Sequence, residues 1–240
     1  MFTAATFLGA WSLDRSVPAH RRLSRLLGAA GEAGAGRDDT LGERNRLLLR
    51  MHRELGRGPL EACVKCPGCG VDNELTVPVD AMLSTPAGSR DERVTLRYGR
   101  HRTTFRLPRM SDIDAAAASS DVRSTVLERC RVAGDSAELQ EVAMERLGRR
   151  FEVLDPLASV EVRMECSGCG TVLAASVDVA GLVAHEIDTL VESLYRDVDR
   201  LARAYGWSEA AILSLPPERR RRYVAMAGTH GAGPRIPGRT

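Results

Sequence analysis

The sequence is poor in aromatic side chains: Phe, Trp and Tyr make up 4 % of it. That leaves little for a nucleic-acid reader that works by stacking bases. It has no excess of charge of one sign either, since the formal net charge is +2, too small to argue for a polyanion partner. No apolar run approaches the roughly 18 to 20 residues of a membrane helix, so no membrane insertion is expected. The start, MFTAATFLGAWSLDRS, has no basic n-region ahead of its short apolar part, which argues against a secretory signal. Catalytic motifs are missing too. There is no phosphate loop of the G-x-x-x-x-G-K type and no G-x-S-x-G, and His185-Glu186 lacks the second histidine of a metalloprotease. The expectation is a protein that is not an enzyme and has no small-molecule substrate.

What is present is ordinary for a globular chain of 240 residues, with 43 % hydrophobic and 28 % charged residues. Without export, the six cysteines belong in a reducing compartment, where metal binding is favoured over disulfides. The chain therefore reads as cytoplasmic where it folds.

The most informative feature is an internal repeat offset by one hundred residues. Cys66, Gly68, Cys69, Gly70, Val77 and Val79 recur as Cys166, Gly168, Cys169, Gly170, Val177 and Val179, and Glu61 recurs as Glu161. A C-x-x-C turn places two sulfurs on one side, about 2.3 Å from a shared zinc, and glycines let the backbone turn tightly around them. One such knuckle supplies two ligands, whereas a closed structural site needs four. The metal ligands are expected to be Cys66, Cys69, Cys166 and Cys169, holding one structural Zn²⁺ per chain. Four thiolates and one Zn²⁺ would bring the net charge to about zero. A thioredoxin-like redox pair would need its motif at a strand-to-helix junction, but here a second strand follows each one. With 96 residues between Cys69 and Cys166, the zinc would clamp a very long loop. Cys63 also forms a C-x-x-C with Cys66. Its counterpart is Arg163 and no turn residue lies between the two, so it is expected to be a buried strand thiol. Cys130, at the end of a helical stretch, is expected in the core.

The predicted fold class is α+β: a zinc ribbon formed by two Cys-x-x-Cys β-hairpins, with a mixed α/β insertion and a helical C-terminal segment. Residues 1–38 read as a flexible N-terminal arm and linker, with Gly28 to Asp38 as the linker itself and AHRRLSRLLG before it able to form an amphipathic turn or two, a docking arm. Residues 39–85 hold a helix, started by the capping-box pair Thr40 and Glu43, and the first knuckle. The insertion, 86–154, is predicted to hold a hairpin turning near Gly99 and helices from Ser111 to Cys130 and from Ser136 to about Gly148. The second knuckle lies in 155–180. The helical segment, 181–228, carries a long amphipathic helix from about Ala180 to Tyr205, then Gly206, the capping Ser208 and Pro216-Pro217. Residues 229–240 are patternless, and a disordered tail is expected there.

With the knuckles and the C-terminal region in view, the chain resembles the baseplate protein family of T-even-type contractile bacteriophages, found also in phage-tail-like contractile injection particles. The resemblance is carried by GERNRLLLRMHRELGRGPLEACVKCPGCG, ELTVPVDAML, DPLASVEVRMECSGCG and LARAYGWSEAAILSLPPERRRRYV, together spanning about Leu41 to Val224. The resemblance implies a component or assembly factor of the baseplate hub that acts through contacts with other baseplate or tail proteins. It would be cytoplasmic during assembly, with the finished particle as its other destination. Tyr205 and Trp207 then read either as an interface anchor or as a plug for the adjoining turn. The run Arg219 to Arg222 is a solvated face, a DNA contact or an acidic-protein contact. The competing reading is a zinc-ribbon nucleic-acid-binding regulator using Arg97 to Arg109 and Arg219 to Arg222. Low net charge and few aromatics count against nucleic acid.

Overall fold

A computed structural model describes residues 2–11, 13–14, 16–31, 38–56, 58–86, 88–89, 91–99, 101–134 and 141–230. In chain order the elements are α1 (Ala4–Ala10), α2 (Ala19–Ala29), α3 (Leu41–Leu55), β1 (Leu60–Lys65), β2 (Asp72–Val77), α4 (Val79–Ser84), β3 (Arg93–Tyr98), β4 (His101–Arg106), α5 (Met110–Ala116), α6 (Val122–Cys130), β5 (Arg131–Ala133), α7 (Glu141–Leu154), β6 (Val160–Glu165), β7 (Val172–Val177), α8 (Val179–Tyr205), α9 (Glu209–Leu213) and α10 (Pro217–His230). The fold is mixed α+β. None of the described helices is long and apolar enough to cross a membrane. The chain divides into two units, Gly36–Val183 and Met1–Ala35 with Ala184–Thr240, and the division falls within α8.

In the Gly36–Val183 unit, local chemistry starts α3 as predicted. The Thr40 hydroxyl accepts from the Glu43 N–H while Glu43 accepts from the Thr40 N–H, and Gly56 ends the helix at φ 59°. The β1–β2 and β6–β7 hairpins have the same register one hundred residues apart: Leu60 faces Val77, and Val160 faces Val177. A helix begins two residues after each, α4 at Val79 and α8 at Val179, so the duplicated piece is a hairpin followed by a helix start. The intervening sheet has the order β3-β4-β5, with Gly99 in the expected turn. Its buried face carries Val94, Leu96 and Phe105, which pack with Cys130, Ala143 and Leu147.

Two buried carboxylates tie distant segments of this unit together. Asp155, at the break after α7, accepts from the backbone N–H groups of Gly42 and Gly88, each at 2.9 Å. Asp112 on α5 accepts two bonds from Arg106, at 2.6 and 2.9 Å, and one from Arg129 at 3.2 Å. Burial alone would raise the Asp112 pKa. The Arg106 guanidinium, the Arg109 N–H and the Arg129 charge outweigh it and hold the carboxyl below its usual range.

Several predicted boundaries move. The helix expected from Ser111 to Cys130 is two helices, because Asp121 caps a new start by accepting from the Ser124 N–H at 3.0 Å. The helix expected from Ser136 is described only from Glu141, residues 135–140 lying outside the described residues. It runs through Gly148 to Leu154, since the buried Leu147 and half-buried Phe151 continue its core-facing stripe. The two knuckle segments and the insertion between them share one unit.

The largest difference is at the N-terminus. Residues 1–38 are predicted to be a flexible arm, yet α1 and α2 are folded and bury Phe7, Trp11, Leu23, Leu26 and Leu27. Of the expected linker, residues 32–37 lie outside the described residues. The order comes from partners far along the chain. Trp11 Nε1–H donates to Asp188 Oδ1 at 2.8 Å, Arg22 donates to the same oxygen at 2.6 Å, and the Arg22 guanidinium lies 4.7 Å from the centre of the Trp11 ring. All three residues are buried.

Within the same unit, Gly206 ends α8 at φ 69° and Ser208 caps α9, both as predicted. Tyr205 stacks on Trp207 at 4.9 Å, and Tyr223 of α10 meets Trp207 edge-on at 4.9 Å. These contacts make the aromatic pair an intramolecular plug. Of the arginine run, Arg219, Arg221 and Arg222 are exposed, whereas Arg220 is buried against Asp197 at 3.2 Å. Residues 231–240, the core of the expected disordered tail, lie outside the described residues, and α10 continues to His230.

Candidate metal centre

The two hairpins belong to separate two-stranded sheets, and their tips meet through side chains. Each knuckle is closed by the same backbone pattern. The Cys66 N–H donates to Val71 and the Gly70 N–H donates to Cys66, each at 2.9 Å; Cys166 with Thr171, and Gly170 with Cys166, repeat both bonds at the same distances. Gly70 and Gly170 have φ of 76° and 72°, a conformation costly for residues with a side chain.

These turns bring the sulfurs of Cys66, Cys69, Cys166 and Cys169 within 4.8 Å of one another. Across the knuckles, Cys66 Sγ lies 3.7 Å from Cys169 Sγ, and Cys69 Sγ lies 3.5 Å from Cys166 Sγ. A disulfide needs about 2.05 Å. Four sulfurs held tetrahedrally at about 2.3 Å from one zinc lie about 3.8 Å apart, close to what is found here. The group could therefore hold a metal ion, and its ligand atoms are the four expected from the repeat.

The apolar support beneath the sulfurs is small: buried Cys66, Cys166 and Leu173, with half-buried Val64 and Met164 packed against them. Isolated two-stranded hairpins are marginal in water. A metal bound by both knuckles would supply the cross-link that this small cluster cannot.

Crowding shifts the protonation of three of the sulfurs in opposite directions. Backbone N–H groups of Cys169 and Gly168 aim at Cys166 and lower its pKa to about 6. Thr171, whose hydroxyl oxygen lies 3.3 Å from Cys169 Sγ, lowers that of Cys169. For Cys69 the largest influence, the Val71 N–H, favours the thiolate. The neighbouring sulfurs of Cys166, Cys169 and Cys66, together with desolvation, outweigh it and push the thiol up to about 12. A divalent cation among the sulfurs removes this conflict by stabilising all four thiolates.

No family model, curated protein or solved structure matches this chain. The reading of the centre therefore rests on its own geometry.

Two other cysteines stand apart from the centre. Cys63 was expected to be buried and is exposed. It sits on β1 among the outward residues Glu61 and Lys65, while Leu60 is buried and Ala62 and Val64 are half-buried on the other face. Cys130 is buried as expected. Burial, reinforced by the Asp112 charge, pushes its thiol up to about 12, so it stays protonated at neutral pH. His185 is exposed on α8.

The sequence reading missed Asn73. It is buried beside the sulfurs, accepts from the Ser167 N–H at 2.8 Å and the Ser167 hydroxyl at 3.0 Å, and points its Nδ2 at Cys166 Sγ, 3.7 Å away. Its repeat counterpart is the buried Leu173. A polar residue at an inward position where the other copy has leucine was the available signal. Asn73 orients one knuckle on the other, as outer-shell partners of metal ligands commonly do.

The two copies also differ at the small residue inside each loop. A Cβ on residue 168 would lie 2.9 Å from Val71 Cγ2 and 3.3 Å from Cys69 Sγ, whereas one on residue 68 would meet only Cys66 Sγ at 3.8 Å. Gly168→Ala is expected to weaken metal binding about fivefold because a metal-bound sulfur cannot retreat, and Gly68→Ala less than about twofold. Competition with a chelator measures both; equal effects would contradict the asymmetry.

Proposed function

We propose that this chain is a structural or assembly component of the baseplate hub of a contractile phage tail or tail-like injection particle. In this reading its two hairpins form a zinc ribbon around one structural Zn²⁺. The observation that carries the structural role is the converging sulfur set, in which cross-knuckle spacings of 3.5 and 3.7 Å suit four thiolates on one tetrahedral ion. An all-sulfur tetrahedral set favours zinc over harder cations. With all four positions filled by protein, the metal has none left for a substrate, which supports a structural role. The baseplate assignment itself rests on the sequence resemblance between about Leu41 and Val224. The burial of Arg220 against Asp197 removes one cation from the run that a nucleic-acid reading would use.

Co-expression with the tail-tube, sheath and baseplate-wedge proteins of a contractile tail tests the reading. A stoichiometric complex with one of them is expected, together with flow-through on immobilised duplex DNA at about 150 mM salt. Salt-dependent retention on DNA, with no tail protein co-purifying, would replace the baseplate reading with the nucleic-acid regulator.

A further inference from the structure

Outside the metal centre, the most unusual surface is a groove of about 600 Å³ between α7 and the β3–β4 hairpin. Arg97, Arg102, Arg146, Arg149 and Arg150 line it, and no acidic residue does so among the described residues. All five arginines are exposed, and none has an ion pair or a side-chain hydrogen bond among the described residues. Arg97 and Arg102 are directly opposite in the strand register, an arrangement that like charges disfavour. Arg146, Arg149 and Arg150 fall at helical spacing on α7. Five unneutralised cations around one groove repel one another, and an anionic occupant would relieve that repulsion.

The surroundings distinguish between kinds of occupant. On α7, Val142, Arg146, Arg149 and Val153 follow i, i+4, i+7 and i+11 spacing, so they share one stripe, away from the buried Ala143 and Leu147. Val142 and Val153 are 66 % and 73 % exposed. A phosphate backbone gains nothing from these valines, and no aromatic side chain lines the groove to stack a base. Arginine is enriched at protein–protein interfaces, and exposed valines gain from being covered by a partner's apolar side chains. The planar guanidinium also grips carboxylates in pairs.

We propose that this groove docks an acidic amphipathic segment of a partner protein. Its carboxylates would pair with the five arginines, and its aliphatic side chains would cover Val142 and Val153. The inference does not depend on the baseplate reading, because it concerns the chemistry of the occupant and can be tested with a purified probe.

The probe is a labelled synthetic helix with glutamates at i, i+4 spacing flanked by leucines, titrated into the full-length protein. Two controls are an all-glutamate peptide of equal charge and a duplex DNA of about 20 base pairs. The substitutions R146E/R149E and V153D change exposed side chains, and unchanged circular dichroism and metal content verify the fold. The amphipathic peptide is expected to bind in a salt-sensitive way. It should lose at least about tenfold in affinity to R146E/R149E and several-fold to V153D. The all-glutamate peptide should bind at least about fivefold more weakly. Any of three results overturns the proposal: no binding of the amphipathic peptide to the unmodified protein, tighter binding of the DNA, or peptide binding that neither variant weakens.

Discussion

Replacing Cys66 with serine is expected to abolish metal binding and to unfold the joined hairpins, and Cys166→Ser should do the same. Either change opens one tetrahedral site built from both knuckles. The effect is large because Cys69 and Cys166 are 97 positions apart. Closing a loop of that length in the unfolded chain is worth about 4 to 5 kcal/mol by the entropy of loop closure. Whole stabilities of domains are about 5 to 15 kcal/mol, so losing the cross-link removes much of what holds the Gly36–Val183 unit together. Elemental analysis and urea denaturation of the two variants measure the effect. Cys63→Ser is the control: its thiol is exposed and outside the sulfur cluster, and metal content should be unchanged. Loss of metal in Cys63→Ser with retention in Cys66→Ser would refute the ligand set.

Asp188→Ala is expected to loosen the N-terminal helices at a cost of about 3 to 5 kcal/mol, the range for breaking a buried pair by removing one partner. The substitution removes the carboxylate that accepts from the buried Arg22 guanidinium at 2.6 Å and from the Trp11 N–H at 2.8 Å. Limited proteolysis should cut within α1–α2 well before the remainder of the chain. Combining Asp188→Ala with Arg22→Ala should cost less than the sum of the two single changes, because the pair is coupled. Additive costs, or a loss below about 1 kcal/mol for Asp188→Ala, would show that Asp188 does not hold these helices.

The same two features show what could be read from the sequence and what could not. The clustering of Cys66, Cys69, Cys166 and Cys169 was legible because the repeat is local twice over: each C-x-x-C brings its own glycines and strands, and the equal offset pairs the copies. The α3 start was legible from Thr40 and Glu43, and the β3–β4 turn from Gly99, since those signals lie within a few residues. The order of α1 was not legible, and of α2 only an amphipathic turn or two within AHRRLSRLLG was. A glycine- and alanine-rich segment follows them, while Trp11 and Arg22 find their partner 177 and 166 positions away. Cys63 was misjudged because the lack of a turn residue before Cys66 marks it as a strand residue without saying which face it takes, and strand alternation turns it outward. Asn73 was overlooked because its importance lies in a bond to Ser167, 94 positions on, which no pattern around Asn73 encodes. Local signals thus recovered most elements, and partners distant in sequence decided what the repeat alone could not.

The central claim is that one metal ion joins the two copies of the knuckle through four cysteine sulfurs. X-ray absorption at the zinc edge, on protein purified without added metal, tests it most directly. The expected result is one zinc per chain with four sulfur neighbours at about 2.3 Å. A stably folded protein without metal, or a zinc shell containing nitrogen or oxygen in place of any of the four sulfurs, would contradict it.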